Sequence, residues 1–268
     1  MPLKLAILGA ARGQLGLCKK AKEMGLQTIC FAWEKGAVCR DYVDKFYNIS
    51  VCDVDTIVDI CRSECISGVV SNGSDFLCDK VAYIAGKLDL PCNNYEDICR
   101  IKDKSYVRSI AQTVADLSSI WYYKGDSNFP ASYPCIIKPT RGSSKKGVSL
   151  VKDKEGYEKA LAYAKEADAG DVLVEQYIEG REVSVETISN KSTHYVVQIT
   201  DKDTSGPPHF VEIAHHQPAI VDSFVKERIR SIVSELLTKV NYANGAAHIE
   251  LKVDSNNNIY LVELNARG

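Results

Sequence analysis

The first ninety residues alternate short apolar strands with helices, and this alternation limits the chain to few folds. The pattern predicts strands over residues 3–8, 27–33, 45–51 and 68–71, and helices over residues 14–24, 55–65 and 74–88. Strands that alternate with helices build a parallel sheet covered by helices. We therefore expect a doubly wound α/β domain over residues 1–92.

The rest of the chain is organised differently. Two short helices, residues 95–100 and 104–113, lead into a poorly patterned stretch that is typical of a connector. The later pattern is α+β with antiparallel sheets. It predicts strands over residues 134–139, 148–152, 171–178, 181–188, 194–200 and 209–216, and helices over residues 154–167 and 222–241.

The last segment, GAAHIELKVDSNNNIYLVELNARG, is typical of a β-hairpin. If Leu251 pairs with Val262, and Val253 with Tyr260, then Glu250 lies opposite Glu263. Opposed side chains lie about 4.5–5.5 Å apart, and like charges there are destabilising without a cation between them. A divalent metal is the simplest such cation. The alternative is an amphipathic edge hairpin with a solvated polar face.

Side-chain alternation gives this hairpin two different faces. The polar face carries His248, Glu250, Lys252, Glu263, Asn265 and Arg267. The opposite face is predicted to point into a core, and it carries Ile249, Leu251, Val253, Tyr260, Val262 and Leu264.

Composition sets broad limits. With 268 residues, 45% hydrophobic and 25% charged, the chain is long enough for two or three lobes. A net charge of −2 leaves no basic surface for nucleic acid, so no nucleic-acid partner is expected. No apolar run approaches ~18 residues and the N-terminus resembles no signal peptide, so we expect no membrane partner and a cytoplasmic location.

Cysteine and histidine are distributed unevenly. All ten cysteines lie between Cys18 and Cys135 without a C-x-x-C spacing, and we expect them to be reduced and buried. All five histidines lie in the second half, where acid–base or ligand chemistry is therefore expected. His209, Glu212 and His215 are candidates for substrate contacts, with ordinary, partly exposed strand residues as the alternative.

The loop over residues 140–147, TRGSSKKG, joins two predicted strands. Its free amides, hydroxyl groups and two lysines suit it to closing over a polyphosphate. Lys138 lies on the strand that precedes the loop. Two earlier turns, GAARGQLG and SNGSD, could also hold an anionic group or could be simple strand-to-helix turns.

A later strand carries features that suit a nucleoside. The backbone groups of Gln176 and Ile178 could bind adenine, with Glu175 accepting from its amine and Glu182 from ribose hydroxyls. Taken singly, each glutamate could equally be a surface carboxylate.

Together, six ordered motifs resemble the signature of ATP-grasp carboxylate–amine/thiol ligases, a group that includes L-amino acid ligases and the carbamoyl-phosphate synthase large subunit. The motifs are IKDKSYVR with Lys104, IIKPTRGSSKKG with Lys138, VLVEQYIEG with Glu175, GREVSVE with Glu182, HIELKV with Glu250, and VELNAR with Glu263, Asn265 and Arg267.

The resemblance implies a two-lobe ATP-grasp fold behind the doubly wound domain. Connector helices over residues 93–113 would pack with the large lobe, the small lobe would cover residues 114–178, and the large lobe residues 179–268. Family members usually continue past the E-x-N-x-R motif, so we expect a fragment or a shortened form whose large lobe is incomplete at the C-terminus.

The resemblance also implies ATP and Mg²⁺ (or Mn²⁺) as cofactors, with carboxylate and amine substrates and a homodimer as a possible assembly. Glu250, Glu263 and Asn265 would bind the metals, and Arg267 and Lys138 would be catalytic. ATP would contact Lys104, Lys138, Ser143, Ser144, Lys146, Gly147, Glu175, Gln176, Ile178 and Glu182.

The expected activity is amide or peptide bond formation through an acyl phosphate. GPPHFVEIAHHQPA and GAAHIELK are similar to L-amino acid ligases and carnosine synthase-like enzymes, and this similarity is favoured. GQLG in the first turn is instead similar to the ATPase subunit of aminoimidazole ribonucleotide carboxylases. The alternatives are therefore a bicarbonate-using, carboxylase-like enzyme and an inactive ATP-binding relic.

Overall fold

A computed structural model describes residues 3–125, 130, 132–142, 145–168, 170–206 and 211–267. The N-terminal part forms a four-stranded parallel sheet in the order β3-β2-β1-β4. Ala6 and Leu8 of β1 belong to one hydrophobic core and Ile7 to another, so helices cover both faces. The predicted doubly wound fold of this part of the chain is confirmed. Its elements are β1 Lys4–Leu8, α1 Leu15–Glu23, β2 Gln27–Ala32, β3 Lys45–Asn48, α2 Val54–Ser63, β4 Gly68–Val70 and α3 Asp75–Lys87.

Two connector helices follow, α4 Tyr95–Ile101 and α5 Lys104–Ala111. Their starts are fixed by side-chain caps: Asn94 accepts hydrogen bonds from the amides of Glu96 and Asp97, and Asp103 accepts one from that of Ser105. These caps place Lys104 in the first turn of α5.

The second sheet, here the small sheet, is antiparallel with the order β5-β8-β6-β7. Helix α6 covers it, and Tyr157 and Leu161 pack on Ile137 and Val174. Strand β5 lies in the stretch where the sequence predicts only a connector. The elements are β5 Tyr122–Lys124, β6 Cys135–Pro139, β7 Ser149–Val151, α6 Lys154–Ala167 and β8 Val172–Gln176.

The third sheet, here the large sheet, is antiparallel with the order β11-β10-β9-β12-β13. Its apolar face packs on α7, where Val185 and Ile249 share a core with Ile229 and Val233. The other face is polar and looks toward the small sheet. The elements are β9 Arg181–Asn190, β10 Thr193–Thr204, β11 Glu212–His216, α7 Ser223–Lys239, β12 Gly245–Val253 and β13 Ile259–Asn265.

The C-terminal hairpin opposes Glu250 and Glu263, as predicted. A β-bulge directly after this pair shifts the register, and Leu251 pairs with Leu261 because the extra residue Val262 is left between them. Two predicted pairs are therefore wrong, namely Leu251–Val262 and Val253–Tyr260.

The bulge also changes which side chains face the core. Ile259 and Leu261 are buried there, whereas Tyr260 and Val262 line a cleft on the other side. The prediction that Tyr260 and Val262 point into the core is therefore wrong. A solvated polar face does not describe this hairpin either, because Glu250 is only 7% exposed and β12 is an interior strand.

All ten cysteines are free thiols, and five of them are buried. The expectation of burial is wrong for Cys52 and Cys65, which are exposed because both lie in turns at the ends of elements. Within the part of the chain that the structure describes, no helix has the length and apolar character needed to cross a membrane.

Candidate active site

A cleft of about 960 Å³, here the main cleft, lies between the small sheet and the polar face of the large sheet and is open to solvent. Helix α5 closes one end of it through Lys104 and Arg108. Most of the candidate residues converge here. The lining includes Lys138, Lys146, Glu175, Gln176, Ile178, Glu182, Glu250 and Glu263.

Three buried charges form the floor of this cleft. Lys138 Nζ lies 2.5 Å from Glu175 Oε1, and Arg108 donates from Nε and Nη2 to Glu175 Oε2 at 3.1 and 2.9 Å. Burial raises the pKa of the Glu175 carboxyl, but the two cations outweigh it and hold the pKa below its usual value. Burial lowers the pKa of Lys138 below its usual value, although the Glu175 carboxylate acts in the opposite direction. Both carboxylate oxygens of Glu175 are thus occupied by cations, which does not fit the predicted role of accepting from an adenine amine.

A second charge cluster surrounds Lys202 on β10, whose side chain is only 1% exposed. Its Nζ lies 2.6 Å from Glu250 Oε1, 2.9 Å from Glu212 Oε1 and 3.2 Å from Glu182 Oε1. Burial lowers the pKa of Lys202, but these carboxylates outweigh it and raise the pKa. The cluster joins four strands of the large sheet, β9 to β12, at the edge of the main cleft.

Glu250 has a second cationic neighbour. His248 Nε2 lies 3.2 Å from Glu250 Oε1, and its Nδ1 lies 2.6 Å from Glu186. Burial lowers the pKa of His248, but hydrogen bonds to the two carboxylates raise it to about 9. Burial raises the pKa of Glu250, but His248 and Lys202 lower it to about 2. Glu250 is therefore a carboxylate at neutral pH.

The cation that opposed carboxylates require is supplied here by lysines. Lys202 lies against Glu250, and Lys104 Nζ lies 3.1 Å from Glu263 Oε1. No group of three or more His, Cys, Asp or Glu side chains among the described residues is arranged to hold a metal. The carboxylates of Glu250 and Glu263 and the amide oxygen of Asn265, which lines a neighbouring cleft with Glu263, are nevertheless oxygen donors of the kind that Mg²⁺ or Mn²⁺ prefers.

Arg267 lies beyond the metal candidates and bonds to the N-terminal domain. Its Nε donates to Asp75 Oδ1 at 2.9 Å. Asp75 is the first residue of α3 and belongs to the SNGSD turn. The hairpin and the N-terminal domain therefore meet at Arg267.

The segment after β8 connects the two sheets at the opposite end of the main cleft. Lys252 of β12 donates to the carbonyl of Ile178 at 2.8 Å, and its Nζ lies 4.9 Å from the centre of the Tyr177 ring. Burial lowers the pKa of Lys252 below its usual value, although the carboxylates of Glu182 and Glu179 act in the opposite direction. Lys252 thus holds this segment against the large sheet.

The predicted lid loop lines the same cleft. Lys104 Nζ donates to the Gly142 carbonyl at 2.7 Å, and Lys146 lies on the cleft wall. Gly147 has φ +77°, and a Cβ there would lie 2.6 Å from the Cβ of Ala167. Ser143, Ser144 and His209 lie outside the described residues.

The remaining substrate candidates lie on β11. Glu212 reaches Lys202 and lies 3.6 Å from Lys145 of the loop. His215 Nε2 lies 3.4 Å from Glu212 Oε2, and its side chain is 49% exposed. The structure thus joins Glu212 to the Lys202 cluster and leaves His215 at its outer side.

Sequence reasoning misses Arg108 and Lys202. A signal for Arg108 was available, because it lies four residues after Lys104 and beside Val107 on the apolar side of α5. For Lys202 the signal was misleading. The turn after Asn190 would place Asp201 opposite Glu182 in an unbroken hairpin, but a bulge in β10 puts Lys202 there.

Comparisons with known proteins agree with this geometry. Residues 131–268 match the ATP-grasp domain. Over 142 residues, 50% of this chain, the sequence is 32% identical to pyruvate carboxylase of Bacillus subtilis (strain 168), of which the match covers 12%. The chain therefore spans only a small part of that curated relative.

Two solved structures share the fold. L-amino acid ligase from Bacillus licheniformis aligns with a TM-score of 0.82 and 23% identity over 99% of this chain and 67% of its own. The second is the biotin carboxylase domain dimer of Hydrogenobacter thermophilus 2-oxoglutarate carboxylase, in complex with MgADP, ADP and bicarbonate. It aligns with a TM-score of 0.84 and 19% identity over 100% of this chain and 65% of its own. Since the domain match covers just over half of the residues, the chain belongs to the ATP-grasp family.

Proposed function

We propose that this chain carries the ATP site of a ligase that activates a carboxylate as an acyl phosphate and transfers the acyl group to an amine. The observation that carries the proposal is the main cleft, whose lining combines the cations Lys104 and Lys138 with the carboxylates Glu250 and Glu263. A carboxylate that attacks a phosphoryl group brings two anions together, so the site must supply positive charge.

The proposed domain division follows the sheets. Residues 1–92 form the N-terminal domain, 93–113 the connector, 114–178 the small lobe and 179–268 the large lobe. ATP would lie between the two lobes. The dimer of the 2-oxoglutarate carboxylase domain supports a homodimer.

Each part of ATP has candidate contacts. The backbone of the segment from Glu175 to Ile178 would bind adenine, and Glu182 would bind ribose, which the position of both on the cleft wall supports. Lys104 and Lys138 would contact the phosphates. The loop would cover the phosphates through Ser143, Ser144, Lys146 and Gly147.

Glu250, Glu263 and Asn265 would hold Mg²⁺ or Mn²⁺. When bound, the metal supplies positive charge that neutralises phosphate oxygens. Arg267 would stabilise the transferring phosphoryl group, and Asp75 would orient its guanidinium group.

The proposed reaction has two steps. An oxygen of the substrate carboxylate bonds to the γ-phosphorus while the bond to the β–γ bridging oxygen breaks, and ADP leaves. The amine nitrogen then bonds to the acyl carbon, inorganic phosphate leaves, and the amine loses a proton. The acyl phosphate hydrolyses readily in water, so the loop must exclude solvent between the steps.

Hydroxylamine trapping tests this proposal. With ATP, Mg²⁺ and a panel of carboxylic acids, hydroxylamine should capture the activated acid as a hydroxamate, in step with ADP release. Glu263→Gln should lower the rate by at least ~100-fold, because a metal ligand and the Lys104 partner are lost. Glu23→Gln, a change at a side chain that is 65% exposed on α1, is the control and should keep the rate.

A bicarbonate-using enzyme is the second candidate, and the 32% identity to pyruvate carboxylase favours it. In that case bicarbonate would support phosphate release, and no carboxylic acid would give a hydroxamate. An ATP-binding relic would bind ATP with Mg²⁺ in a calorimeter but release no ADP with either.

A further inference from the structure

A second cleft of about 730 Å³, here the side cleft, adjoins the main cleft. Its walls come from the first turn of α3, the end of α4 and the hairpin strand β13. Lys104, Gly142 and Glu263 line both clefts. A small molecule in the side cleft would therefore reach the end of the main cleft where the proposed function puts the phosphates.

The cations of the side cleft differ in how they are compensated. Lys102 Nζ lies 2.9 Å from Asp79 Oδ1, and Lys104 is paired with Glu263. Arg141 has no hydrogen bond or ion pair with any residue that the structure describes, and it is exposed. A guanidinium group without a partner among the described residues, next to Gly142 where the two clefts meet, is suited to binding a carboxylate through two parallel N–H···O bonds.

Apart from Asp75, Glu263 and Asn265, the rest of the lining is largely apolar. Phe76 of α3 is 54% exposed and lines the cleft, together with Ile101 and Leu264. Lys80 Nζ lies 3.7 Å from the centre of the Phe76 ring. Small-molecule sites combine such apolar walls with a few polar groups that fix orientation.

We infer that the side cleft binds the carboxylate substrate, and that this substrate carries an apolar side chain. Arg141 binds the carboxylate beside Lys104, and Phe76 packs against the apolar part and sets the preference for it. The inference rests on the proposed function for the identity of the substrate, but its binding geometry is separate and can be measured without turnover.

The test compares two acids that differ only in their apolar part, 3-phenylpropionate and acetate, by calorimetry with ADP and Mg²⁺ present. We expect 3-phenylpropionate to bind at least ~10-fold more tightly. Phe76→Ala should reduce the ratio of the two affinities by about tenfold. Arg141→Gln should weaken the binding of both acids. Because Arg141 is an exposed loop residue, this variant keeps the test decisive even if Phe76→Ala fails to fold.

The matched control is Phe224→Ala. Phe224 is the second residue of α7, is 67% exposed and has Arg228 over its ring. Phe76 is similarly placed, because it is the second residue of α3 and has Lys80 over its ring. Phe224→Ala should leave the affinities for both acids unchanged. Equal affinities of the two acids, or equal effects of the two phenylalanine changes, would overturn the inference.

Failure of the proposed function gives a different pattern. If 3-phenylpropionate binds as expected but hydroxylamine traps no acid, the cleft inference stands and ligase activity does not. If hydroxamate forms with small polar acids and Phe76→Ala changes nothing, the ligase proposal stands and the assignment of the side cleft is wrong.

Discussion

At the scale of single residues, the buried group of Arg108, Glu175 and Lys138 is the most constrained feature of the main cleft. One carboxylate is the shared partner of two cations, and the side chains of Glu175 and Lys138 are each 7% exposed. Arg108 also donates from Nη1 to the Leu261 carbonyl at 2.7 Å. It therefore connects α5, the small sheet and the hairpin.

Glu175→Gln should destabilise the protein by about 3–5 kcal/mol, because it leaves two buried cations without a counter-charge. Urea unfolding at neutral pH measures this loss. Glu23→Gln breaks an ion pair whose side chains are 69% and 65% exposed, and it should cost less than ~1 kcal/mol. Similar losses in the two variants would show that the buried group contributes no more than a surface pair.

The same group marks how far the sequence alone leads. Lys138 and Glu175 are recognisable because each lies in a motif, and the structure brings them together. Arg108 ends the motif IKDKSYVR, but no spacing in the sequence pairs it with Glu175, which is 67 residues away. Periodicity identifies the face on which a residue lies, whereas long-range pairing depends on how the sheets pack.

At the scale of elements, the long periodic segments are predicted well, whereas one short strand is missed. Helix α6 has the predicted bounds, Lys154–Ala167, because its apolar residues keep a helical spacing. Strand β5, Tyr122–Lys124, has three residues and lies in a poorly patterned stretch, whereas the equally short β4 and β7 lie in apolar segments that the sequence marks as strands. The bulges in β10 and the hairpin are missed because strict alternation assumes one residue opposite one.

The junction between the lid loop and α6 depends on a missing side chain. Gly147→Ala would add a Cβ 2.6 Å from the Ala167 Cβ and 3.0 Å from Pro139 Cδ. Gly36→Ala is the matched control, since its φ of +81° is close to the +77° of Gly147 but nothing lies within 4 Å. The left-handed backbone should destabilise both variants by about 1 kcal/mol, and the clash should destabilise Gly147→Ala by about 1–3 kcal/mol more.

Urea unfolding of both variants separates backbone strain from steric strain. Equal destabilisation would mean that the loop end moves away from α6 at little cost.

At the scale of the whole molecule, carboxylates with lowered pKa values are spread over the N-terminal domain, the connector, and the parts of the chain that build the small and large sheets. In the described residues these are Asp44, Glu64, Asp103, Asp116, Glu175, Glu212, Glu250 and Asp254. Each holds its proton less tightly in the folded state than in the unfolded state. Acid should therefore destabilise every part of the chain.

Glu64 makes the sign of this effect testable. Hydrogen bonds from Lys45 and Tyr47 lower its pKa from 4.5 to about 2. Its contribution to stability is present above pH 4.5 and is lost as the pH falls from 4.5 toward 2, because the unfolded chain takes up the proton first. Glu64→Gln should reduce the slope of unfolding free energy against pH in this window.

The slope is measured from urea unfolding at a series of pH values. Glu227→Gln is the control, because the Glu227 side chain is 77% exposed and its ion pair with Arg230 lies on the surface. It should leave the slope unchanged. The same slope in Glu64→Gln and in the unsubstituted chain would contradict the assignment.

The strand order of the large sheet has a consequence for biosynthesis. β9 pairs with β10, which the ribosome makes next, and with β12, where Thr187 donates to the Ala247 carbonyl 60 residues downstream. At roughly 5–20 residues per second, β9 waits on the order of several seconds with one edge unpaired. An unpaired strand edge is a template for association with other chains. Nascent copies of this protein therefore pass through an aggregation-prone interval that ends only when Glu250 and its strand have been translated.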